Sequence, residues 1–146
     1  MDNILNKQFL PYKQSLELKK LGFDKECIAY YHNHVEPSFV NELDRGKTTK
    51  NSEQNLYHTD CTAPLFQQVF DWFDDEHGII GTVVPNGIRE YDWEIYSEEF
   101  EDEEIESPPY YSNYDAKLGC INYMINYLNE KKKINNQKFY LYLQTI

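Results

Sequence analysis

The sequence predicts a single α+β domain in which about three helices pack on one face of a mostly antiparallel sheet. Three observations support this prediction. Apolar residues recur at helical spacing in three segments, and an Asn-Gly pair separates two alternating segments as in a β-hairpin. No internal repeat or second domain is visible along the 146 residues. A chain of this length can remove roughly two-thirds of its unfolded surface from water, so we expect one compact core.

The first helix is predicted in LPYKQSLELKKLGFD, residues 10–24. Pro11 suits the start of a helix, where its missing N–H is not needed. Gly22 suits the left-handed residue that ends a helix, and Phe23 would then cover Leu18.

A strand and a long loop are predicted next. CIAYYHNH, residues 27–34, is short and rich in β-branched and aromatic residues, as strands are. Residues 33–62 are mostly small and polar, so we expect a long loop there, with room for short strands at Phe39 or Leu56.

The second helix is predicted in APLFQQVFDWF, residues 63–73. On a helical wheel its six largest apolar side chains fall within about 160°, and glutamines and aspartates fill the rest. We interpret this stripe as a core face and not as a binding platform. Thr62 suits the N-cap and Gly78 suits the stop.

A β-hairpin is predicted in IIGTVVPNGIREYDWEIY, residues 79–96. Asn86-Gly87 would supply the two positive φ angles of a type I′ turn, which places Ile80 opposite Trp93. The apolar face would carry Ile80, Val84, Tyr91, Trp93 and Ile95. The wet face would carry Glu90, Asp92 and Glu94.

The third helix is predicted to follow an acidic loop at residues 97–109. Ser112 with Asp115 resembles a capping box, and the lysines after Asn129 suit the negative end of the helix dipole. One apolar stripe comprises Tyr114, Leu118, Ile121, Ile125 and Leu128. A second, on the opposite side, comprises Ala116, Cys120, Tyr123 and Tyr127. Such a helix is either sandwiched in its own domain or exposes one face to a partner.

The end of the chain, KFYLYLQTI, alternates in a way that predicts a final strand at residues 138–146. Phe139 would share one face with Leu141 and Leu143, and two tyrosines would lie on the other. This strand would complete the antiparallel sheet.

Charge and cysteine content exclude several classes of protein. The formal net charge is -11, but seven acidic residues lie within residues 98–106. With only two arginines, the chain is not expected to bind free nucleic acid directly. Three cysteines without a Cys-x-x-Cys pair indicate free thiols in a reducing compartment. No membrane-length apolar run and no signal-peptide pattern are visible, so we expect a cytoplasmic protein.

No catalytic residue, metal site or cofactor is predicted. GKTT, residues 46–49, resembles the tail of a phosphate-binding loop but lacks the required first glycine. Five residues of types that bind zinc or form a Cys-His pair do not match a known spacing: His32, His34, His58, Asp60 and Cys61. The acidic run lacks the glycine and alternating Asp/Asn of an EF-hand, and is either a soluble linker or a mimic of nucleic-acid phosphates.

Three blocks resemble small uncharacterised accessory proteins of Bacteroidetes phages and prophages. They are LPYKQSLELKKLGFD, APLFQQVFDWF followed by HGIIGTVV, and YDAKLGCINYMI, which together cover under half of the chain. They are patterns of helix stops and core faces, not of chemistry. The resemblance implies the cytoplasm of a bacterial host cell and a non-virion role, and it assigns no activity to any residue.

These features lead to one hypothesis and two alternatives. Thirteen tyrosines suit interfaces and stacking on bases, so we expect a non-enzymatic protein, a homodimer through the third helix, that sequesters a nucleotide-type ligand. The resemblance to phage accessory proteins implies that it is phage-encoded and that the ligand is a defence signal of the host. Its ligand-binding residues would be Tyr123, Tyr127, Arg45, Lys47 and Arg89. The first alternative is an acidic protein that blocks a basic host protein through Glu98, Glu99, Glu101, Asp102, Glu103, Glu104 and Glu106. The second is a small hydrolase that uses His58, Asp60 or Cys61.

Overall fold

The structure is a computed structural model, and it describes residues 4–32, 37–39, 48–53, 59–100 and 105–146. The helices are α1 (Tyr12–Lys20), α2 (Phe66–His77) and α3 (Asn113–Gln144). The strands are β1 (Ala29–Tyr31), β2 (Ser38–Phe39), β3 (Cys61–Thr62), β4 (Ile80–Pro85) and β5 (Tyr91–Tyr96). Short 3-10 helices span Ile4–Gln8, Asn51–Glu53 and Glu98–Phe100.

The predicted α+β class is confirmed, with two small antiparallel sheets in place of one. In the first sheet β1 lies between β2 and β3, and in the second β4 pairs with β5. The main core lies where the three helices meet the β4–β5 hairpin, and a smaller cluster lies around Phe9 and Tyr31. No helix in the described part of the chain combines the length and apolar character of a membrane span.

Helix α1 ends as predicted. Gly22 has a φ of 97°, which is the left-handed region that glycine adopts without strain. The N–H of Gly22 donates to the carbonyl of Lys19 at 3.1 Å, and the N–H of Phe23 donates to the carbonyl of Leu18 at 3.0 Å. Both bonds belong to a Schellman motif, which brings buried Phe23 over buried Leu18.

Helix α2 ends at Gly78 as predicted, but the prediction of Thr62 as its N-cap is wrong. Thr62 pairs with β1 as part of β3, and the helix begins after Leu65. The Gln68 side chain accepts a hydrogen bond from the Leu65 N–H at 3.0 Å, so a glutamine supplies the cap from inside the helix.

The hairpin forms, but its predicted register is wrong. Val83 lies opposite Trp93 and Ile80 lies opposite Tyr96, three residues from the predicted pairing. A shift by an odd number of residues exchanges the two faces of a strand. Ile80 and Val84 are therefore on the outer face, whereas Val83 and Trp93 pack against the core.

The turn explains this register. A hydrogen bond of 2.8 Å from the Asn86 N–H to the Glu90 carbonyl closes a connection of five residues, 86–90, instead of the expected two. Gly87 keeps the positive φ that the sequence predicted, at 99°. An Asn-Gly pair thus fixes where the chain turns, while the loop length that sets strand register depends on the surrounding contacts.

Both apolar stripes of α3 are used within the domain. Ile121, Met124 and Ile125 lie in the main core, and on the second stripe Ala116 and Cys120 are fully buried. Ser112 caps the helix as predicted, since its hydroxyl accepts a hydrogen bond from the Asp115 N–H at 3.0 Å. Of the two alternatives for a helix with two apolar faces, the first half of α3 is therefore sandwiched within its own domain.

The predicted final strand at residues 138–146 is wrong. Helix α3 continues without interruption to Gln144, so the alternating residues lie on a helix. An apolar run of five residues has no clear period, and no glycine or proline after Gly119 stops the helix. Every side chain from residue 130 onward is exposed.

Candidate functional site: an acidic cleft beside the hairpin

An open cleft of about 960 Å³ lies where α2, the hairpin and the 3-10 helix Glu98–Phe100 meet. Three glutamates lie along it: Glu94, Glu98 and Glu99. Apolar and aromatic side chains form the remainder of the lining, chiefly Ile95 and Phe100. We call this site the acidic cleft.

The end of α2 creates one wall of the cleft. Gly78, with a φ of 63°, reverses the chain, and the N–H of Ile79 donates to the carbonyl of Phe73 at 3.1 Å. Ile79 is buried, so the chain enters β4 directly after the helix. This tight connection holds His77 at the cleft wall.

His77 presents an imidazole with an unused nitrogen. Its ring packs edge-on against the Trp72 ring, with 4.6 Å between ring centroids. Its Nε2 is buried and has no hydrogen-bond partner among the described residues. Burial lowers the pKa of His77, an effect that the nearby Glu76 partly opposes, so the neutral imidazole is favoured.

Glu99 connects the 3-10 helix Glu98–Phe100, which forms the second wall of the cleft, to α3. Its carboxylate accepts hydrogen bonds from the Tyr127 hydroxyl and from the Lys131 ammonium, the latter at 2.5 Å. These two bonds lower the pKa of Glu99, with the bond to Lys131 as the larger cause. The Phe100 ring packs on the Tyr127 ring at 4.6 Å, so the short 3-10 helix is anchored to α3 by one polar and one aromatic contact.

The other two glutamates are exposed on the rim. Glu94 accepts a hydrogen bond from the Tyr96 hydroxyl, which raises the pKa of that tyrosine. Glu98 begins the 3-10 helix and is exposed. Of the described residues, no lysine or arginine lines the cleft, so its rim carries a negative field.

This arrangement can attract a cation and bury an apolar stem, but it holds no assembled nucleophile. Ser97 lines the cleft, yet its hydroxyl accepts a hydrogen bond from the Glu99 N–H at 3.3 Å, and within the described chain His77 Nε2 is not bonded to it. A serine nucleophile needs a base within hydrogen-bond reach. Among the described residues of the cleft, Ser97 and His77 therefore do not form a nucleophile-base pair.

The cluster behind the hydrolase hypothesis lies elsewhere, next to β3. Cys61 is fully buried, and burial raises its pKa to about 12, so a nucleophilic thiolate is disfavoured. Asp60 is buried, and its carboxylate lies 3.2 Å from Nδ1 of His32. His34 and His58 lie outside the described residues. Within the described ranges, no group of three or more His, Cys, Asp or Glu side chains could hold a metal ion.

The residues predicted to bind a nucleotide are placed far apart or are not described. Tyr123 packs on Trp93, with 5.0 Å between ring centroids, and Tyr127 contacts Glu99 beyond the open end of the hairpin. Arg89 is exposed in the turn at the other end. The strand between them, Tyr91–Tyr96, is roughly 17 Å long.

The structure does not describe several residues of the two predicted binding sites. Arg45 and Lys47 lie outside the described residues, and so do Glu101, Asp102, Glu103 and Glu104. Of the acidic set, Glu98 and Glu99 line the cleft, and Glu106 is exposed beyond it. Among the described members of that set, the structure brings Glu98 and Glu99 together with the hairpin.

The sequence reasoning missed His77, Glu94 and Tyr96 as neighbours of the acidic run. A usable signal was present, because the helix stop at Gly78 is followed at once by a strand. A connection that short forces the helix end and the hairpin edge together. Their proximity to Glu98 then follows from β5 leading directly into the acidic run.

Comparison of the chain with known proteins found no similar one. No family model matches the chain, and no curated protein or solved structure matches it either.

Proposed function

We propose that this protein is a non-enzymatic binding module whose acidic cleft holds a lysine- or arginine-containing segment of a partner protein. The observation that carries this proposal is the pairing of rim carboxylates, Glu94 and Glu98, with an aromatic and aliphatic floor, in a lining whose described residues include no lysine or arginine. A charged group at the rim and an apolar surface below suit the two parts of a basic side chain.

A lysine or arginine side chain would match the cleft through its apolar stem as well as through its charge. Lysine and arginine bury their methylene stems on apolar surface while their charged ends stay in water or meet carboxylates. Here Ile95 and Phe100 would contact the stem, and Glu94 and Glu98 would meet the cation.

The proposal corresponds to the acidic-protein alternative and not to nucleotide capture. Phosphates would be repelled by the three glutamates of the cleft, and Arg89 lies at the far end of the hairpin from Tyr127. In the setting implied by the resemblance to phage accessory proteins, the partner would be a basic, nucleic-acid-binding protein of the host. Binding would then block the basic surface of that protein.

Peptide binding tests the proposal directly. The probe is a short fluorescein-labelled peptide of arginine and glycine, titrated with the full chain and followed by anisotropy. We expect Glu94→Gln with Glu98→Gln to weaken binding about tenfold, because two exposed ion pairs are worth roughly 0.5–1 kcal/mol each. Affinity should also fall as salt rises from about 50 to 200 mM.

A matched control separates the cleft from net charge. Glu26→Gln with Glu53→Gln removes the same two charges from exposed positions outside the cleft. An equal loss of affinity in this variant would mean that the peptide responds to overall charge, and the proposal would be abandoned. A nucleotide that raises the melting temperature, with the rise abolished by Arg89→Ala and Tyr127→Ala, would instead support nucleotide capture.

A further inference from the structure

Apart from the ion pair of Lys131 with Glu99, the last part of α3 has no packing partner within the described chain. Helix α3 is 32 residues long, about 48 Å, and only its first half contacts the main core. From residue 130 to residue 146 every side chain is exposed. We call this segment, residues 130–146, the arm. Among the described residues it carries seven of the fourteen large apolar side chains that are exposed: Ile134, Phe139, Tyr140, Leu141, Tyr142, Leu143 and Ile146.

The arm repeats the pattern of the buried half of the helix. On a wheel of about 100° per residue, Phe139, Tyr142 and Leu143 continue the stripe that ends in the core at Leu128. Ile134 and Leu141 continue the opposite stripe of Tyr127 in the same way. In the first half of α3 both stripes are covered by the rest of the domain. The arm therefore has the same two apolar stripes, and no described residues of the same chain cover them.

The exposed area of one face of the arm approaches that of a small dimer contact. Phe139, Tyr142, Leu143 and Ile146 share this face and are 49–84% exposed. At about 200 Å² for each aromatic side chain, Phe139 and Tyr142 leave roughly 250 Å² to water, and the two aliphatic side chains add to this area. A specific interface buries at least about 1,000 Å² in total, which is about 500 Å² per partner, so burial of this face against the same face of a second copy approaches that limit.

Charge selects an antiparallel arrangement of two copies. Four lysines and one glutamate give the arm a net charge of +3, and all five lie between Glu130 and Lys138. Parallel arms would bring these lysine clusters side by side. Antiparallel arms keep the two lysine clusters at opposite ends of the contact and bring Lys138 near the C-terminal end of the partner helix, where the helix dipole is negative.

We infer that the arm is a dimerisation element through which a second copy of this chain packs antiparallel. The occupant is the same arm in the partner, with Phe139, Tyr142 and Leu143 at the centre of the contact. This inference is independent of the acidic cleft, which lies on the hairpin side of the domain.

Sedimentation of the full chain tests the inference. We expect the wild type to sediment as a dimer at concentrations of tens of micromolar, and Phe139→Glu with Leu143→Glu to halve its mass. Since both side chains are exposed, the substitutions should leave the fold intact, which circular dichroism verifies. The control is Ile88→Glu with Tyr111→Glu, at two other exposed apolar positions, and it should stay dimeric.

Cross-linking tests the orientation. The native thiols are buried, so a single introduced cysteine carries the reaction with a bismaleimide. Lys138→Cys and Thr145→Cys proteins should cross-link to each other when mixed, whereas Lys132→Cys protein should link poorly to itself, because antiparallel arms hold its two copies about 30 Å apart. Efficient linking of Lys132→Cys protein to itself would show parallel arms and overturn the arrangement.

Three further outcomes would overturn the inference. The first is a wild type that is monomeric at every concentration. The second is a dimer that persists in the arm variant or is lost in Glu94→Gln with Glu98→Gln, which would place the interface elsewhere. The third is a monomer that co-sediments with anionic phosphatidylglycerol vesicles through the arm, which would make a lipid surface the occupant.

Discussion

Gly119 tests the packing of α3 because a single methyl group at this position has a predictable effect. The residue lies inside α3, where glycine is about 1 kcal/mol less favourable than alanine. A Cβ atom at Gly119 would overlap the ring and hydroxyl of Tyr110, with Cε1 at 2.9 Å. Glycine is thus required here because the Tyr110 ring lies close to the helix backbone, although alanine would have the higher helix propensity.

Tyr110 cannot move aside freely. Its N–H and carbonyl form hydrogen bonds of 2.9 and 2.8 Å with the backbone of Tyr91, which fixes it to the hairpin. Its hydroxyl also accepts a hydrogen bond from the Trp93 indole at 3.4 Å. Displacing the ring therefore disturbs the contact between α3 and the hairpin, and overpacking of this kind costs about 1–3 kcal/mol.

We predict that Gly119→Ala lowers the free energy of unfolding by up to about 2 kcal/mol after the gain in helix propensity. Urea denaturation followed by tryptophan fluorescence measures this, and the melting temperature should fall by up to roughly 6 °C. In a Tyr110→Ala background the same substitution should instead stabilise by about 1 kcal/mol, because only helix propensity remains. If Gly119→Ala has the same sign in both backgrounds, the proposed overlap with Tyr110 is not what selects glycine.

Two further predictions concern titrating groups. Burial raises the pKa of Cys27 to about 11 and of Cys61 and Cys120 to about 12, so the unfolded chain ionises first. Stability should be complete below about pH 8.5 and decline above it by up to about 1.4 kcal/mol per pH unit and thiol. Cys120→Ala should reduce that slope by about a third between about pH 8.5 and 9.5, before tyrosines ionise, and an unchanged slope would contradict the assignment. For Glu99, whose pKa is lowered by Lys131 and Tyr127, the stabilising effect should be present above about pH 4.3 and lost as the pH falls. Because this pair is exposed, Glu99→Gln should cost less than about 1 kcal/mol at pH 7 in urea denaturation, and the cost should shrink as the pH falls below about 4.3; a larger loss would indicate that Glu99 supports the fold itself.

Local signals in the sequence predicted the fold class and most element positions. Gly22 and Gly78 end their helices because only glycine adopts their backbone angles without strain, and this requirement is visible without neighbours. The apolar stripes of α2 and the first half of α3 likewise reflect a single buried core. These signals depend on residues close in sequence.

The failures depend on contacts distant in sequence. Trp93 and Ile95 face inward, but their partners on β4 were misassigned, because the turn alone does not fix how many residues it contains. The sequence FYLYL, residues 139–143, was assigned to a strand since five consecutive apolar residues fit either period. What distinguishes the two is the preceding helix, which continues because nothing ends it.

The candidate site was predicted only in part for the same reason. Glu98 and Glu99 stood out as members of a charged run, which is a compositional signal. Their combination with His77 and Glu94 arises from the fold, since the end of α2 and the end of β5 meet only after the hairpin has docked. A charged run becomes a candidate site when the fold adds an apolar floor to it.

The two proposed surfaces are joined by one ion pair, and its strength limits how far they can influence each other. Lys131 lies at the base of the arm and binds Glu99 in the wall of the acidic cleft. A cationic ligand that competes for Glu99 would release Lys131, but an exposed pair is worth at most about 1 kcal/mol. Reciprocal coupling of that size changes an equilibrium about fivefold. A larger change in the dimer dissociation constant on peptide binding would require movement of α3 itself and not the exchange of one ion pair.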